Sequence, residues 1–504
     1  MAGGKTKDGL EYLWTDKKRT LFGLPLSFTR YYLTDTRLIT RVGFLTITED
    51  ELDIYRITDK KMELPLGQRL FGCGTIILFS KDVDTPEKEI CSVKNPRQVS
   101  DLITACINEQ RDQFGIRGKD MVGPGGMRRR TRRKNNRHTD SERKEVLNML
   151  SFITEKQSSW EKLQAETRPI FIYGMGDGAE KIMRVFREKS IPLAGIFASD
   201  DFVRGHSFAG YKVRKLSEIE AQVSDFVIVL AFAAGYQSLV DKIVEIGKRH
   251  TLIVPDVPVA GGGLFTYEYC LEHAAELEEV YGMLADDESR RVYASIINFK
   301  ISGNIRYLLD VTTPKTEIYR KIINLTPNEV YVDLGAYNGD TIQEVLQLTR
   351  GKYIRIYAIE PDRKNFKKLC KYLDGMNYVY AYNAVAWCLD TTVPFATKAG
   401  RQSAVSAFGQ QIDARSVDSI LQGKPATIIK MDVEGCEREA LWGASQTIAH
   451  FSPKLMVSLY HRNEDIFALP LLIRRLNPNY DLYVRHQLYI PAWETNLYAV
   501  PSEK

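Results

Sequence analysis

The sequence predicts a multidomain α/β protein, and three observations along its 504 residues indicate this fold class. Residues 330–348 have the pattern of a buried strand, a glycine-punctuated turn and an amphipathic helix, the repeating unit of a doubly wound parallel sheet. Residues 169–186 repeat that order around a second glycine-rich turn. The first hundred residues are instead rich in short β-branched and aromatic runs, which predict an N-terminal β-rich domain.

The N-terminal segment, residues 9–115, is expected to form antiparallel strands followed by one helix. Apolar residues recur at helical spacing over residues 96–114. The strand-like runs are residues 27–33, 37–42, 52–58 and 75–79. This order, together with the stretch YYLTDTRLITRVGFLTITEDELDIYRI, resembles the bacterial pleckstrin-homology-like (PH-like) domain. The resemblance implies a role in binding or localisation.

A basic, flexible linker is predicted at residues 116–145. Seven arginine and lysine residues fall between Arg128 and Arg137, directly after a Gly-Pro-Gly-Gly sequence. The whole chain carries only +5, so its remainder is close to neutral. No aromatic residues interleave to stack bases, and we therefore expect a solvated linker without a specific nucleic acid partner. A weak contact with anionic membranes, through the linker or the PH-like domain, stays open.

The middle of the chain, residues 146–266, predicts a Rossmann-like α/β unit. A strand at residues 169–173 leads into GMGDGAEKIM, where Gly174, Gly176 and Gly178 would let a ligand approach the backbone. Further strands are expected at residues 193–197, ending near Asp200 and Asp201, and at residues 227–230. The unit resembles the Rossmann-like domain of sugar-modifying acyltransferases, which implies a nucleotide-linked sugar at the three glycines. A scaffold without a ligand is the alternative.

The remaining features restrict the classes of protein. A helical connector is expected at residues 267–323, where AAELEEVYGMLADDESRRVYASIINF predicts helices and no site. The chain is 44% hydrophobic and 26% charged, as globular proteins are. No run approaches the roughly 20 apolar residues that span a bilayer, and MAGGKTKDGL is not a signal peptide. Seven scattered cysteines without a CxxC pair predict reduced thiols and a cytoplasmic location.

A glycine turn follows the strand predicted at residues 330–332. Asp333 ends this strand, and GAYNGDT leads into a helix with one apolar face at residues 342–348. A second strand is expected at residues 354–359, and Glu360 follows it roughly 20 residues beyond the turn. At this position such sheets place a carboxylate on a pair of ribose hydroxyls. The spacing indicates an adenosine-type ligand, with NAD and S-adenosylmethionine both open.

The segments that follow discriminate between these ligands. Residues 384–386 stand where a third strand is expected, ATIIKMDVEGCEREAL predicts a fourth strand and a helix, and KLMVSLYHRNED predicts a fifth strand ending at His461. With VDLGAYNGDT, the IEP after the second strand and the closing ETNLYAV, they resemble the FkbM family of S-adenosylmethionine-dependent methyltransferases over about residues 308–500. The resemblance implies a Rossmann-like, class I methyltransferase sheet in a domain of residues 324–504.

The same resemblance implies a set of cofactor-binding residues. The loop after Asp333 is expected to hold the methionine part of S-adenosylmethionine, and Glu360 its ribose hydroxyls. Asn383 and Ala384 are expected near the adenine. The full set is Asp333, Gly335, Ala336, Tyr337, Gly339, Asp340, Glu360, Asn383 and Ala384.

Three residues at the ends of the fourth and fifth strands are candidate catalytic residues. Methyl transfer to an oxygen requires a positioned acceptor and a place for its proton. His461 is the preferred general base because its ordinary pKa suits proton transfer near neutrality, and Asp432 and Glu434 face the same crevice. As alternatives, His461 could hydrogen-bond a loop, and Glu434 could complement the dipole of the following helix. No metal is predicted, since the spacing has no diagnostic form.

The sequence therefore predicts a methyltransferase that uses S-adenosylmethionine. Its acceptor would be a hydroxyl of a carbohydrate, a nucleotide-sugar or a secondary metabolite. Two other classes stay open. The first is a catalytically inactive binding protein associated with lipid or polymer. The second is a nicotinamide-dependent sugar-nucleotide oxidoreductase that uses the glycine turn of the middle unit.

Overall fold

The computed structural model forms two compact units, Met1–Lys134 and Asn135–Lys504. The boundary between them falls inside the stretch predicted as a linker. The linker itself and the last part of the helix predicted at residues 96–114 lie outside the described residues. The structure describes residues 4–5, 11–19, 27–34, 36–43, 48–54, 57–63, 72–80, 87–97, 99–100, 102–103, 150–199, 205, 207–396, 404–405 and 410–502.

The first unit is built from short antiparallel strands. They are β1 (Gly4–Lys5), β2 (Glu11–Tyr12), β3 (Trp14–Lys17), β4 (Thr29–Leu33), β5 (Arg37–Val42), β6 (Thr48–Asp53), β7 (Ile57–Glu63), β8 (Cys73–Ser80) and β9 (Glu87–Lys94). Strands β3 to β6 form one sheet in chain order, β7 to β9 form another, and β1 pairs with β2. Val99 and Ile103, in the helical residues after β9, pack into the core between these strands. Three of the four predicted strands and the start of the C-terminal helix are thus present among the described residues.

One predicted strand of this unit is wrong. The run at residues 52–58 was expected to be continuous, but the chain leaves β6 at Asp53 and starts β7 at Ile57. Ile54, between them, is fully buried, as are Leu52 and Ile57. The apolar run therefore continues around a corner between two sheets, which a pattern of alternating residues does not reveal.

The middle part of the second unit is a parallel sheet with helices. Its strands are β10 (Ile170–Tyr173), β11 (Gly195–Ala198), β12 (Ser207–Phe208), β13 (Tyr211–Lys215), β14 (Val227–Leu230) and β15 (Thr251–Ile253). They are ordered β12-β13-β11-β10-β14-β15, and β12 alone pairs antiparallel. The helices are Ser159–Gln164, Asp177–Glu188, Leu216–Glu220 and Gln237–Arg249. The chain moves outward from β10 in both directions, so β10 and β14 flank a topological switch point.

A series of helices follows the middle sheet, and its core is continuous with that of its neighbours. Its helices are Tyr267–Glu272, Ala274–Met283, Asp287–Ser302, Arg306–Leu309 and Lys315–Lys321. Buried side chains of the middle sheet, of these helices and of the C-terminal sheet form one hydrophobic cluster. The three segments distinguished in the sequence therefore fold around a shared core. None of the helices in the described part of the chain has the length and apolar character that crossing a membrane requires.

The C-terminal part is a seven-stranded sheet with a second, small sheet beside it. Its strands are β16 (Val330–Leu334), β17 (Arg355–Ile359), β18 (Val379–Tyr382), β19 (Val385–Ala386), β20 (Thr391–Ala396), β21 (Ala404–Val405), β22 (Gln410–Arg415), β23 (Ile428–Met431), β24 (Lys454–Ser458), β25 (Tyr480–His486) and β26 (Thr495–Pro501). The large sheet has the order β18-β17-β16-β23-β24-β26-β25, with β26 antiparallel to its neighbours. The helices are Asp340–Leu348, Arg363–Leu373, Val417–Leu421, Glu437–Gly443, Ser445–Phe451 and Asp465–Leu476. The switch point lies between β16 and β23. The predicted site residues lie at or after the carboxyl ends of β16, β17, β18, β23 and β24.

The third strand of this sheet differs from the prediction. Residues 384–386 were expected there, but β18 occupies the position beside β17. Val385 and Ala386 form β19, which pairs with β22 in the small sheet. The side chains of β18 are only partly buried, because β18 lies at the edge of the sheet. The more apolar run was therefore mistaken for the sheet strand.

Candidate active site

The turn after β16 depends on glycine at position 335. The amides of Gly335 and Ala336 donate to the carbonyl oxygen of Ile359, at the end of β17, over 3.0 Å each. Gly335 has φ +79°, and a Cβ atom there would lie 1.8 Å from the carbonyl oxygen of Asp432. Both the backbone angle and this contact exclude a side chain. The turn is thereby pressed against the loop that follows β23.

The rest of the turn leads into the helix Asp340–Leu348. Gly339 precedes this helix with φ +92°, and a Cβ atom there would lie 2.5 Å from the ring of Tyr372. Tyr337 also has a positive φ, of 48°. At Gly339 the backbone thus packs closely against a ring of the protein itself. The close approach of a ligand to this turn stays a prediction.

A buried ion pair braces the turn from behind. Asp333 is fully buried, its carboxylate lies 3.2 Å from Lys430 Nζ, and it also accepts the Thr341 hydroxyl hydrogen. Burial raises the pKa of Asp333, and Lys430 opposes that rise. Burial alone would lower the pKa of Lys430, but Asp333 and Asp432 outweigh it and hold that pKa above its usual value. Lys430 also donates to the Gly335 carbonyl oxygen over 3.1 Å. Asp333 thus stabilises the turn.

Glu360 closes the turn from the end of β17. One carboxylate oxygen accepts the Tyr337 amide hydrogen and the other accepts that of Asp362, both over 2.8 Å. Burial raises the pKa of Glu360 to about 7, although these two amide donors oppose the rise. Each oxygen keeps a lone pair for a further donor. Asn383 donates to the carbonyl oxygens of Glu360 and Pro361 over 2.9 Å each, and so holds this corner from the side.

His461 lies among three carboxylates just beyond β24. Its Nε2 lies 3.4 Å from Asp432 Oδ1 and 3.7 Å from Glu434 Oε2, and its Nδ1 lies 2.9 Å from Glu437 Oε1. His461 and Glu437 are each only 1% exposed, whereas Asp432 and Glu434 are about one-third exposed. Tyr460 donates to Asp432 Oδ1 over 3.0 Å. We call Asp432, Glu434 and His461 the acid–histidine cluster.

The charges of this cluster change the expected behaviour of His461. Burial alone would lower its pKa, but Glu437, Asp432 and Glu434 together raise the pKa to about 10. The ring therefore carries its proton at neutral pH in this arrangement. Burial would raise the pKa of Asp432, but Lys430 and His461 outweigh it and hold that pKa below its usual value. His461 could act as a base only after its ring loses this proton. A second positive charge near the carboxylates would favour that loss.

Glu434 is placed by the loop and not by the following helix. That helix begins at Glu437, so Glu434 lies outside its first turn. Glu434 has φ +54°, and Gly435 follows with φ +94°. The alternative interpretation of Glu434, as a carboxylate that complements the helix dipole, therefore fits Glu437 better.

A cavity of about 550 Å³ connects the glycine turn with the acid–histidine cluster. Its volume is in the usual range for small-molecule sites. All three candidate catalytic residues line it, as do four of the expected cofactor residues: Gly335, Tyr337, Asp340 and Glu360. The other five expected cofactor residues do not contribute to this wall: Asp333, Ala336, Gly339, Asn383 and Ala384.

Residues before the predicted methyltransferase domain also line this cavity. Asp177 and Val259 come from the middle unit, and Lys315 and Tyr319 come from the last connector helix. The Ala260 amide donates to the His461 carbonyl oxygen over 2.8 Å. The cavity wall thus belongs to the whole second unit, and not to residues 324–504 alone.

The loop between β25 and β26 completes the wall and reaches the middle sheet. Tyr489 and Trp493 from this loop line the cavity, with their ring centroids 6.1 Å apart at 27°. Ile490 exchanges two backbone hydrogen bonds with Ala234, of 2.7 and 2.9 Å. A Cβ atom on Gly235 would lie 2.7 Å from the Tyr489 ring. The turn after β14 therefore supports the aromatic part of the cavity.

The glycines of the middle unit serve packing at two of three positions. A Cβ atom on Gly174 would lie 2.5 Å from the Phe232 ring, and one on Gly178 would lie 2.5 Å from the Ala231 carbonyl oxygen. Gly176 has φ +109° and open space around it. Asp200 and Asp201, expected at the end of the next strand, lie outside the described residues. A nucleotide-sugar site at these glycines stays a prediction.

Comparison with known proteins identifies two domains. Residues 333–490 match the family model described as the methyltransferase FkbM domain. We refer to this matched stretch as the FkbM domain. Residues 23–105 match the model of the bacterial PH domain. None of the curated proteins matches the sequence.

One solved structure shares the fold of the FkbM domain, and others show a weaker likeness. The methyltransferase FkbM from Methylobacillus flagellatus KT is 22% identical, with a TM-score of 0.54, and the match covers 71% of this chain and 98% of that one. The covered share exceeds the FkbM domain alone, so the common fold extends beyond it. An rRNA methylase from Streptococcus thermophilus and the fibrillarin of Aeropyrum pernix, solved with S-adenosyl-L-methionine, are each 12% identical with TM-scores of 0.25. Those matches cover 36% and 35% of this chain, and 90% and 68% of theirs.

Several residues in and behind the cavity wall were not predicted. Glu437 is five positions beyond Asp432, and its place in the first turn of a helix was a signal of its own. Tyr460, adjacent to His461, follows the same strand. The wall residues of the middle unit and connector, such as Asp177 and Lys315, carry no signal in the sequence, because only the packing of the three segments brings them to the cavity.

Proposed function

We propose that this chain is an S-adenosylmethionine-dependent O-methyltransferase whose acceptor is a hydroxyl of an uncharged carbohydrate. The observation that carries the proposal is the shared cavity, which the glycine turn and the acid–histidine cluster line together. The FkbM domain supports methyl transfer as the chemistry. The nature of the acceptor is inferred from the charges and aromatic rings of the wall.

The residues around the glycine turn fit the cofactor. Glu360 lines the cavity and has a free lone pair on each carboxylate oxygen, which suits the two hydroxyls of a ribose. Gly335, where a Cβ atom has no room, lets the methionine part pass close to the backbone. When bound, the cofactor supplies a methyl group on a positively charged sulfur. The carboxylates of Asp432 and Glu434 favour that charge over the neutral sulfur of the product.

The charges of the wall disfavour a phosphorylated acceptor. Two lysines, Lys315 and Lys430, face the cavity together with His461. The carboxylates of the wall outnumber them: Asp177, Asp340, Glu344, Glu360, Asp432, Glu434 and Glu494. A nucleoside diphosphate would bring further negative charge next to these groups, at a cost in free energy. A neutral hydroxyl compound avoids this repulsion, and carboxylates accept hydrogen bonds from its hydroxyls.

The aromatic pair in the same wall suits a sugar ring. Tyr489 and Trp493 offer apolar faces beside carboxylates. A sugar presents apolar C–H groups on its ring faces and hydroxyls around its edge. Stacking on an aromatic ring combined with hydrogen bonds to carboxylates therefore recognises both kinds of group. His461, Asp432 and Glu434 are then positioned to take part in handling the acceptor proton.

Nucleotide binding by the middle unit is the second candidate function, and one observation favours it. The space beside Gly176 is open, at the N-terminus of the helix Asp177–Glu188 and at a sheet switch point. The first residue of that helix is nevertheless Asp177, whose carboxylate opposes an anion there. We therefore place the middle unit as support for the acceptor wall.

The experiment has a binding arm and a transfer arm, both with the full chain. Calorimetry should detect S-adenosylmethionine and not NAD. Methyl-labelled cofactor is then incubated with neutral oligosaccharides and, separately, with nucleotide-linked sugars. We expect label on a neutral saccharide. Binding of NAD alone would contradict the cofactor, and label only on nucleotide-linked sugars would contradict the acceptor.

A further inference from the structure

The acid–histidine cluster has the spacing of donors around one cation. Nε2 of His461 lies 3.4 Å from Asp432 Oδ1 and 3.7 Å from Glu434 Oε2, and all three side chains line the cavity. Two donors at about 2.1 Å from one ion lie about 3.0 Å apart at a right angle and about 3.4 Å apart in a tetrahedron. Each of the two Nε2–oxygen distances is therefore close to the separation of two donors on a single ion.

A second observation lies on the other side of the His461 ring. Glu437, 1% exposed, has its Oε1 2.9 Å from His461 Nδ1, and this oxygen also accepts the Val433 amide hydrogen. The second oxygen of this carboxylate, Glu437 Oε2, is buried without a hydrogen-bond partner. Buried polar atoms without partners call for an explanation such as an ion. One donor atom from each of Asp432, Glu437 and His461 lies within 4.8 Å of the other two.

The placement of Glu437 matches the outer shell of a metal site. A histidine that ligates a metal through one ring nitrogen usually presents the other to a carboxylate, which fixes the orientation of the ring. Here Glu437 occupies that position and Nε2 faces the cavity, through which an ion can enter. A cation would also offset the three carboxylates gathered around one imidazole.

We propose that Asp432, Glu434 and His461 bind one divalent cation of the Mg²⁺ and Mn²⁺ class, with Glu437 as the residue that positions His461. Two carboxylates and one imidazole are donors that Mn²⁺ accepts, and binding of the ion releases the Nε2 proton of His461. Carboxylates are the protein ligands of Mg²⁺. Three protein donors leave coordination positions for oxygens of an acceptor. This role for the ion rests on the proposed function, whereas its binding does not.

The test is Mn²⁺ binding to the full chain without cofactor or acceptor, measured by electron paramagnetic resonance. We expect one saturable site that Mg²⁺ competes for, and at least tenfold weaker binding in Asp432→Asn and Glu434→Gln. Glu439→Gln is the matched control. The Glu439 carboxylate lies on the same helix as Glu437, but its charge helps burial to raise the pKa of the Cys388 thiol. Glu439→Gln should bind Mn²⁺ as the wild type does.

The outcomes separate this proposal from the proposed function. The cation proposal is overturned if the wild type has no saturable Mn²⁺ site. It is also overturned if Glu439→Gln loses as much Mn²⁺ affinity as Glu434→Gln does. S-adenosylmethionine affinity is measured on the same samples, so a chain that binds the cofactor but not Mn²⁺ overturns the cation alone. If Asp432→Asn melts at a much lower temperature than the wild type, its loss of Mn²⁺ binding could reflect unfolding. The result for Glu434→Gln then decides, because the Glu434 side chain is partly exposed. Glu437→Gln should weaken Mn²⁺ less than either ligand variant does.

Discussion

The second unit contains two strand–glycine–helix turns, one after β10 and one after β16, and their surroundings differ. Around Gly335, the neighbouring strand ends supply Glu360 and Asp432, and a cavity opens in front of the turn. Around Gly174, a phenylalanine ring fills the space. The same local motif therefore builds a ligand site in one sheet and mainly a packed corner in the other. What the adjacent strand ends contribute decides between the two.

The largest expected effect tests whether methyl transfer takes place at the cavity in front of the turn after β16. His461→Ala should lower the rate of methyl transfer by ~10²–10⁴-fold, the usual contribution of a group that handles a proton, with cofactor affinity nearly unchanged. Asp432→Asn should lower both rate and cofactor affinity, since its carboxylate also faces the cofactor charge. The measurements are single-turnover transfer and cofactor binding. His450→Ala, at an exposed histidine, is the control. A His461→Ala rate within a few-fold of the wild type would assign the proton to another group.

The second effect compares the two glycine turns directly. Gly335→Ala should cost ~3 kcal/mol or more, because the new Cβ would meet the Asp432 carbonyl oxygen in addition to the strain of a positive φ. Gly176→Ala should cost about 1–2 kcal/mol, since only the backbone angle opposes it. Unfolding in urea measures both. Equal losses would show that the space around Gly335 and Gly176 is equivalent, against the structure.

The third effect concerns the loop that joins the two regions. His486 is fully buried, its Nε2 lies 3.1 Å from the Tyr489 carbonyl oxygen, and burial lowers its pKa to about 4. Because this folded pKa is below the ordinary value near 6.5, the stabilisation is present above pH 6.5 and is lost as the pH falls towards 4. The full loss is on the order of 3 kcal/mol. His486→Gln should show a smaller loss of stability over this range in urea titrations. An identical acid dependence in both proteins would assign it to other groups.

The smallest effect concerns Glu360, the residue for which the turn after β10 has no described counterpart. Glu360→Ala should weaken S-adenosylmethionine binding by about 1–3 kcal/mol through lost hydrogen bonds to a charged group. In the wild type, affinity should fall as the pH drops below about 7, because the raised pKa lets the carboxyl protonate and lose acceptor capacity. Glu360→Gln should remove this pH dependence, and Glu439→Gln should keep it. Unchanged affinity in Glu360→Ala would place the ribose elsewhere.

Much of the fold was predictable because its signals are local. The strands at residues 37–42 and 227–230 coincide with β5 and β14, and the glycine turn at Gly335 lies where the pattern predicted it. Strand ends in a parallel sheet meet at one edge, so Asp432, Glu434 and His461 could be expected together. The family resemblance was confirmed over residues 333–490 and, for the PH-like domain, over residues 23–105.

Tertiary structure alone decided which residues line the cavity. By itself the sequence determined the fold class, the two glycine turns and the acids after them, because each depends on residues close in the chain. It did not reveal that Asp177, Lys315 and the Tyr489–Trp493 pair share a wall with Glu434. It also did not show that Glu437 lies behind His461 and raises its pKa. Those facts depend on which faces of three segments pack around a common core. Contacts between residues far apart in the chain leave no repeating pattern in the sequence.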